Sequence, residues 1–313
     1  MTTGPTDPLA TSMRFQLDGN MILDGATAVG QWLPEQSRVD WSWASLGVDP
    51  GLTALAKAEA ELWDHWADDE GDVAAQSAPT SDPARFSLEG WQKRYPYIRH
   101  ALAEAGIQLT LRNRRVLDIG GSGKDAAYWL RDSPARIDQV EVSPRSQFLA
   151  SLRLRGGQNP DTGAYIPTVY HTVPAENLPF DDSAFDFVFS RSTVHHCQRP
   201  KVFSEIDRVL KPGGVLILVE PRLSDPMHWA MRTSRRLLNR DRGTDNPLQT
   251  HEINYLENEI FARSAHRASY YFRSPMRLIG LKMDDSLSGP VSSAVAMQFA
   301  FAGQKADDNA RRT

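Results

Sequence analysis

One stretch constrains the fold of this chain more than any other: a short apolar run that ends in an acid and a glycine-rich turn. Residues 116–126 read Val-Leu-Asp-Ile-Gly-Gly-Ser-Gly-Lys-Asp-Ala and lead into a helix-forming run. This order predicts a strand, a tight turn and a helix, because glycine accepts backbone conformations that other residues resist. The start of such a helix offers unpaired N–H groups and partial positive charge, which suit the polar end of a nucleotide-like ligand. A tight turn with no ligand is the alternative.

Strand-like and helix-like patterns alternate after Arg114. The candidate strands are Arg115–Ile119, Gln139–Val142, Thr168–Thr172, Phe185–Ser190 and Val215–Glu220, and the candidate helices between them are Lys124–Asp132, Arg145–Arg155 and Lys201–Leu210. Such alternation predicts an α/β fold with a Rossmann-like, doubly wound and mostly parallel sheet. Two later candidate strands, Ala268–Phe272 and Val295–Ala302, bring the count to seven. Ligands of such sheets lie beyond the carboxyl ends of the strands.

The flanking segments lack this alternation. We predict a disordered N-terminus over 1–12, a helical cap over 13–108, a doubly wound α/β domain over 109–303 with a helical insertion at 224–267, and a polar tail over 304–313. The cap contains a predicted hairpin around Asp18-Gly19-Asn20 and predicted helices at Pro50–Ala67 and Leu88–Ala105. The later elements are predicted helices at Pro226–Leu238 and Ile253–Ala265 and predicted strands at Ala268–Phe272 and Val295–Ala302.

Composition excludes several functional classes. The net charge of −4 over 313 residues gives no global basic field, so a nucleic-acid partner is not expected. Cys197 is the single cysteine, which excludes an intramolecular disulfide and fits a reducing, cytoplasmic location. No apolar run reaches about 18 residues, so no transmembrane segment is predicted. The first twelve residues lack the pattern of a secretory signal.

Two acids indicate which ligand the turn would take. Glu141 follows Asp118 by 23 residues and ends the second predicted strand, where a carboxylate can accept hydrogen bonds from ribose hydroxyls. A solvated acid at a strand end is the alternative. The glycines do not have the G-x-G-x-x-G spacing of dinucleotide-binding proteins. Asp118 suits a cationic amino group, so the pattern favours S-adenosylmethionine over a nicotinamide cofactor.

Four motifs occur in order between residues 115 and 221. They are Val-Leu-Asp-Ile-Gly at 116–120, Ala-Glu-Asn-Leu-Pro-Phe-Asp-Asp-Ser-Ala-Phe-Asp-Phe-Val at 175–188, His-His at 195–196 and Arg-Val-Leu-Lys-Pro-Gly-Gly at 208–214. In these motifs the chain resembles class I S-adenosylmethionine-dependent methyltransferases, in the branch that contains the ubiquinone/menaquinone C-methyltransferases. The resemblance implies a class I methyltransferase-type domain over 109–303 whose seven-stranded sheet has an antiparallel last strand. The family turn D-x-G-x-G-x-G carries Ser122 and Lys124 at its second and third glycine positions here, unless the loop is one residue shorter. Pro174 stands where the family often has an aspartate.

The resemblance implies a set of cofactor-binding residues. Asp118 and Gly120 would face the methionine part, Glu141 would bind the ribose, and Ala175 and Glu176 would lie beside the adenine, with the Ala175 N–H available to a ring nitrogen. The remaining positions, in the glycine turn, after the second strand and on the floor near the methionine, are Gly121, Ser122, Val142, Arg191 and Ser192.

The adjacent His195, His196 and Cys197 raise two chemical possibilities. Neighbouring residues rarely coordinate one ion well, and no spaced partner set such as H-x-x-x-H is present, so no metal is expected. Either histidine could act as a general base for an oxygen acceptor, because imidazole accepts a proton near neutral pH. Capping of the next helix, or packing under the cofactor, is the alternative for each.

These observations predict transfer of the methyl group of S-adenosylmethionine to a small-molecule acceptor, a metabolite or natural-product intermediate. An arginine cluster could favour an acidic or carrier-bound acceptor, although a solvated helix face explains it as well; its members are Arg232, Arg235, Arg236, Arg240 and Arg242. One alternative function is an S-adenosylmethionine-binding enzyme with a non-methylating reaction. Another is a catalytically silent partner subunit. The sequence does not decide the acceptor or the oligomeric state.

Overall fold

The computed structural model describes residues 15–17, 20–22, 56–63, 87–143, 146, 147, 150, 154, 166–221, 233, 246–269 and 298–307. The chain divides into two compact units. Unit 1 comprises Met1–Trp91, Thr110–Phe189 and Cys197–Lys211, and unit 2 comprises Gln92–Leu109, Ser190–His196 and Pro212–Thr313. The predictions for residues 1–12, for Pro226–Leu238 apart from Thr233, and for the arginine cluster lie outside the described residues.

The strands form a two-stranded hairpin and a seven-stranded mixed sheet. The hairpin pairs β1 (Phe15–Leu17) with β2 (Asn20–Ile22), antiparallel, as the sequence predicts. The sheet contains β3 (Arg115–Ile119), β4 (Arg136–Val140), β5 (Thr168–His171), β6 (Phe185–Arg191), β7 (Leu210–Pro221), β8 (Phe261–Ser269) and β9 (Gln298–Lys305), in the order β5-β4-β3-β6-β7-β9-β8. The pairs β3–β4 and β4–β5 are parallel, and the last strand β9 is antiparallel to β7 and β8. The predicted fold class is confirmed.

Short helices connect these strands. They are α1 (Leu88–Arg94), α2 (Pro96–Glu104), α3 (Ala126–Trp129), α4 (Arg199–Val209) and α5 (Thr250–Tyr255), and residues 56–63 are also helical. The sequence predicted one helix over Leu88–Ala105, but the structure has two. Pro96 has no N–H to donate and disfavours helical geometry at the residue before it, so Tyr95 takes φ −122° and ψ 73° between α1 and α2.

A cluster of aromatic side chains lies at the centre of unit 1. The rings of Trp91, Trp129 and Phe189 pack edge to face with centroid distances of 5.2 to 5.5 Å, and Phe187 packs on Trp129 at 5.4 Å. The indole N–H of Trp91 donates to Asp125 at 2.9 Å, which satisfies its polar atom in the interior. Trp91 is therefore a core residue rather than a substrate clamp.

The main correction to the sequence prediction lies in unit 2. The predicted helix Ile253–Ala265 is wrong beyond Ile260, because Phe261–Ser269 forms strand β8 on β9. Phe261 and Ala265, both buried, are four residues apart, a spacing that in sequence suits one face of a regular helix as well as of a regular strand; in the structure the register of β8 shifts between Phe261 and Arg263. The periodicity alone was ambiguous, and pairing with β9 decided it. Among the described residues, no helix has the length and apolarity needed to cross a membrane.

Candidate active site

The glycine turn after β3 has the backbone that its sequence indicates. Gly120, Gly121 and Gly123 have φ of 77°, 72° and 69°, and Lys124 has an ordinary φ of −60°. The residues of the turn with left-handed backbone are therefore all glycines, and the position of Lys124 does not require a glycine. Lys124 therefore adds no backbone strain to the turn. Ser122 lies in the 3-10 turn Gly121–Gly123.

Backbone and amide hydrogen bonds fix the first peptide of this turn. The Gly120 N–H donates to the Val140 carbonyl at 2.7 Å, and the Gln139 side chain donates to the Gly120 carbonyl at 2.9 Å. Gln147 in turn donates to the Gln139 carbonyl at 3.1 Å. Both glutamines are buried. Sequence reasoning missed Gln139, whose only signal is a polar side chain within an apolar strand.

The two predicted acids both lie at strand ends in unit 1. Asp118 is the second-last residue of β3 and is buried. Glu141 follows β4 directly, and its Oε1 accepts the N–H groups of Val142 at 2.9 Å and Ser143 at 3.3 Å. Glu141 therefore shapes the turn after β4 with one carboxylate oxygen. This contact is structural, and the ribose role stays a prediction.

The segment that resembles the adenine-side motif packs against α4. Ala175 is buried, and the Glu176 Oε1 accepts the Gln198 N–H at 2.8 Å, where α4 begins. The Pro174 carbonyl accepts the Asn177 N–H at 3.1 Å. Glu176 therefore links this segment to the start of α4 by a hydrogen bond. Its predicted position next to the adenine stays a prediction.

In unit 2 a second turn follows β6. Ser192 takes φ 55°, an uncommon value for a residue other than glycine, and its N–H donates to the Val219 carbonyl at 2.8 Å. The guanidinium of Arg191 lies 5.2 Å from the centroid of the Tyr95 ring, which places a cation over an aromatic face. Left-handed backbone in such residues is costly and occurs often at functional sites.

A buried glutamate organises this second turn. Glu220, near the end of β7, accepts the N–H groups of Thr193 at 3.1 Å and Val194 at 3.0 Å through Oε1. Its Oε2 lies 2.6 Å from Nδ1 of the buried His195. An ionised carboxylate only accepts, so Nδ1 carries the hydrogen and Nε2 of the neutral ring carries the lone pair. The ring centroids of His195 and His196 are 4.0 Å apart.

The structure therefore distributes the predicted residues over two local arrangements. Unit 1 contains Asp118, Gly120, Gly121, Ser122, Glu141, Val142, Ala175 and Glu176, and unit 2 contains Arg191, Ser192, His195 and His196. Sequence reasoning did not pair Glu220 with a histidine, although an acid that ends an otherwise apolar strand is a signal. No group of three or more histidine, cysteine or acidic residues could hold a metal ion in the described part of the chain.

Comparison with known proteins finds similarity to methyltransferases in part of the chain. Residues 117–218 match the family model of a methyltransferase domain. An uncharacterized methyltransferase of Synechocystis, sll0829, is 29% identical over 158 residues, which cover 44% of this chain and 68% of that protein. The erythromycin 3''-O-methyltransferase of Saccharopolyspora erythraea is 31% identical over 147 residues, covering 44% of this chain and 46% of that protein. Across such curated relatives, this chain spans from 40% to 68% of their length.

A solved structure also resembles the chain. It is a phosphoethanolamine N-methyltransferase of Haemonchus contortus with S-adenosylhomocysteine, 17% identical, with a TM-score of 0.47 over 71% of this chain and 54% of that one. The sequence matches identify residues 117–218 as a class I S-adenosylmethionine-dependent methyltransferase domain. S-adenosylmethionine is the cofactor of this class. The narrower resemblance to the ubiquinone/menaquinone branch is not confirmed.

Proposed function

We propose that this protein transfers the methyl group of S-adenosylmethionine to a hydroxyl group of a small-molecule acceptor. The observation that carries the proposal is the 2.6 Å contact between His195 Nδ1 and Glu220 Oε2. A histidine oriented by a buried carboxylate is the arrangement that general-base catalysis requires. Methyl transfer to oxygen needs such a base, because a neutral hydroxyl is a weak nucleophile until its proton leaves.

The residues around the glycine turn fit the cofactor. Among the described residues, a Cβ at Gly121 would meet no heavy atom within 4 Å apart from its chain neighbours, so the backbone borders open space where a ligand can approach closely. We assign Asp118 to the cationic amino group of the methionine part and Glu141 to the ribose. Gly120, Ser122 and Val142 complete this part of the proposed site, Ala175 and Glu176 adjoin the adenine, and Arg191 and Ser192 adjoin the methionine.

Bound S-adenosylmethionine supplies an activated methyl group, since its sulfonium leaves as a neutral thioether. His195 Nε2 accepts the acceptor's hydroxyl proton as the oxygen bonds to the methyl carbon and the carbon–sulfur bond breaks. Glu220 stabilises the imidazolium that results and keeps Nε2 as the accepting nitrogen. Orientation of the reactants supplies much of the remaining rate enhancement. His196, the other predicted base, stacks beside this pair.

Hydroxylated small molecules are the acceptor class that this mechanism favours. The relative named as an erythromycin 3''-O-methyltransferase acts on a hydroxyl of a macrolide by its name, which supports an acceptor of this kind. We propose that residues 13–108 and 224–267 select the acceptor. We also propose that the acceptor is acidic or carrier-bound. The protein would then act in cytoplasmic small-molecule biosynthesis.

The first experiment is calorimetric titration of the protein with S-adenosylmethionine and S-adenosylhomocysteine. We expect micromolar binding of both, at least tenfold weaker in Asp118→Ala and Glu141→Ala. Asp307→Ala is the matched control, because Asp307 is an exposed carboxylate after β9 with no assigned role in cofactor binding. Radiolabelled methyl transfer to a panel of hydroxylated macrolides and lipids then tests the reaction.

Each contrary result would indicate a different function for this protein. Absence of binding to either ligand would contradict the proposal and favour a silent partner subunit. Binding with product formation but no loss of S-adenosylmethionine would indicate a non-methylating reaction. Transfer of label to amines or carbon acids, with none to hydroxyls, would overturn the assignment of oxygen as the acceptor atom.

A further inference from the structure

We infer that Arg208 positions the cofactor's adenine by holding the backbone of residues 174–183, the adenine-side segment. The inference rests on the proposed function, because it takes the Ala175 N–H as the donor to adenine. Arg208 lies in α4 and acts through the segment rather than on the ligand itself. It is therefore a positioning residue, not a catalytic one.

The guanidinium of Arg208 uses each of its five N–H donors on groups in or beside the segment. Nε and Nη2 donate to the two oxygens of Glu205, both at 2.8 Å. Nη2 also donates to the Leu178 carbonyl at 3.0 Å, and Nη1 donates to the Phe180 carbonyl at 2.6 Å. The fifth bond joins Nη1 to Asp182 Oδ1 at 3.0 Å. Two backbone carbonyls thus depend on one side chain.

Glu205 completes this attachment from the same helix. Its Oε2 accepts the Leu178 N–H at 2.7 Å, so both polar groups of Leu178 are held, one by Glu205 and one by Arg208. Burial acts to raise the pKa of Glu205, but hydrogen bonds from Arg208 and from Leu178 outweigh it and lower the pKa. Hydrogen bonds to Glu205 and to Asp182 raise the pKa of Arg208. Both groups are therefore charged near neutral pH.

Helix α4 secures the adenine-side segment along its whole length. Glu176 accepts the Gln198 N–H at 2.8 Å near one end, and the Ser183 N–H donates to the Arg208 carbonyl at 2.8 Å at the other. Ala175 lies between Pro174 and Glu176 and is buried. These bonds restrain the backbone that carries the Ala175 N–H. Lysine could not replace arginine here, because three donors on one nitrogen cannot span two carbonyls and two carboxylates.

A pair of ligands that differ at one ring atom isolates this effect. S-adenosylhomocysteine presents N1 as an acceptor, whereas S-inosylhomocysteine carries a hydrogen on N1 and cannot accept the Ala175 N–H. Pro174 offers no side-chain acceptor for the exocyclic amine, so the ring nitrogen dominates the comparison. With S-inosylhomocysteine, the hydrogen bond to N1 is lost and the Ala175 N–H faces the N1–H instead. We therefore expect the native protein to bind S-adenosylhomocysteine about tenfold more tightly than S-inosylhomocysteine.

The proposal predicts that Arg208→Lys removes most of this preference. We expect S-adenosylhomocysteine to bind about tenfold more weakly to the variant and S-inosylhomocysteine to bind nearly as before, so the ratio falls below about threefold. Lys211→Gln is the matched control. It removes the 2.8 Å ion pair between Lys211 and Asp186 in the same unit but leaves the carbonyls of Leu178 and Phe180 bonded, so the ratio should stay near tenfold.

Thermal unfolding monitored by circular dichroism establishes that the variant is folded. If Arg208→Lys does not fold, Glu205→Gln is tested instead, and the ratio of the two affinities should again fall below about threefold. The glutamine amide N–H would face the N–H donors of Arg208 and weaken their arrangement. A ratio that stays at the native value in the folded variant would overturn the inference and leave Arg208 a purely structural residue. Failure of the native protein to bind either ligand would instead contradict the proposed function.

Discussion

The turns that follow β3 and β6 are built by different means. The first, Asp118–Lys124, is made by glycine backbone, and its critical hydrogen bonds come from the neighbouring strand β4. The second, Arg191–His196, is made by the side chain of Glu220, which is distant in sequence and binds two N–H groups and a histidine. A backbone-built turn fits close approach to a ligand. A turn built on a buried carboxylate fits proton transfer.

The largest effect should come from breaking the second turn. In Glu220→Gln an amide N–H can donate to His195 Nδ1, which moves the ring hydrogen to Nε2 and removes the base. We expect methyl transfer to a hydroxyl acceptor to fall about 10²- to 10⁴-fold, with S-adenosylmethionine affinity nearly unchanged. Single-turnover transfer of labelled methyl measures the rate, and calorimetry measures the affinity.

A second histidine–glutamate pair supplies the control for this experiment. His266 Nδ1 lies 2.7 Å from Glu257 Oε1 in unit 2, and this pair is not proposed as the base. Because residues 224–267 are proposed to select the acceptor, Glu257→Gln is compared at saturating acceptor, where a change in acceptor affinity does not lower the rate. Equal loss of rate in the Glu257 and Glu220 variants would show that the His195 pair has no special part. A Glu220→Gln variant that keeps native activity would remove the base assignment.

A somewhat smaller effect is expected from the ion pairs of unit 1. Asp138 is buried, binds Arg115 at 3.0 Å and Arg136 at 2.6 Å, and lies 2.9 Å from His171 Nε2. Burial acts to raise its pKa, but the hydrogen bond to His171 and the neighbouring positive charges lower it below the model-peptide value of 3.8. Asp138→Asn should lower the free energy of unfolding at pH 7 by about 3 kcal/mol, because the cations lose their partner.

The pH dependence of this effect has a definite sign. The folded pKa of Asp138 is depressed, so the unfolded chain binds more protons in this range and stability rises with pH. The contribution is complete well above pH 3.8 and is lost as the pH falls through that value toward the folded pKa. Urea unfolding between pH 3 and 7 should show a smaller pH slope in Asp138→Asn than in the native protein. Equal dependence of the free energy of unfolding on pH in the two proteins would contradict this prediction.

The smallest expected effect tests the glycine turn itself. An alanine Cβ at Gly123 would lie 3.2 Å from the Ala150 backbone and 3.3 Å from Leu154, with φ at 69°. Gly106 has a similar φ of 66°, but a Cβ there meets nothing within 4 Å. Gly106→Ala should cost about 1 kcal/mol through backbone strain alone, and Gly123→Ala about 1 to 2 kcal/mol more through crowding. Denaturant unfolding of the two variants measures the difference; equal losses would show that the turn is not tightly enclosed.

The two turns also differ in how far sequence could predict them. The strand before Asp118, the glycines and the acid at Glu141 all lie within one βαβ unit, so local patterns identified the turn and its place. The pairing of His195 with Glu220 spans 25 residues, including helix α4 and most of β7, and no local pattern encodes it. Gln139 was missed for a similar reason, because its bond to Gly120 crosses from one strand to the next.

The sequence by itself determined the fold class, the glycine turn and the methyltransferase resemblance. These depend on alternation, on residues with special backbone freedom and on short motifs, all of which are local in the chain. Only the tertiary structure decided that Phe261–Ser269 is a strand, that His195 has a carboxylate partner and that Arg208 holds the adenine-side segment. Sheet pairing and buried charge depend on residues that meet only after folding, so their positions in the sequence carry no periodic signal.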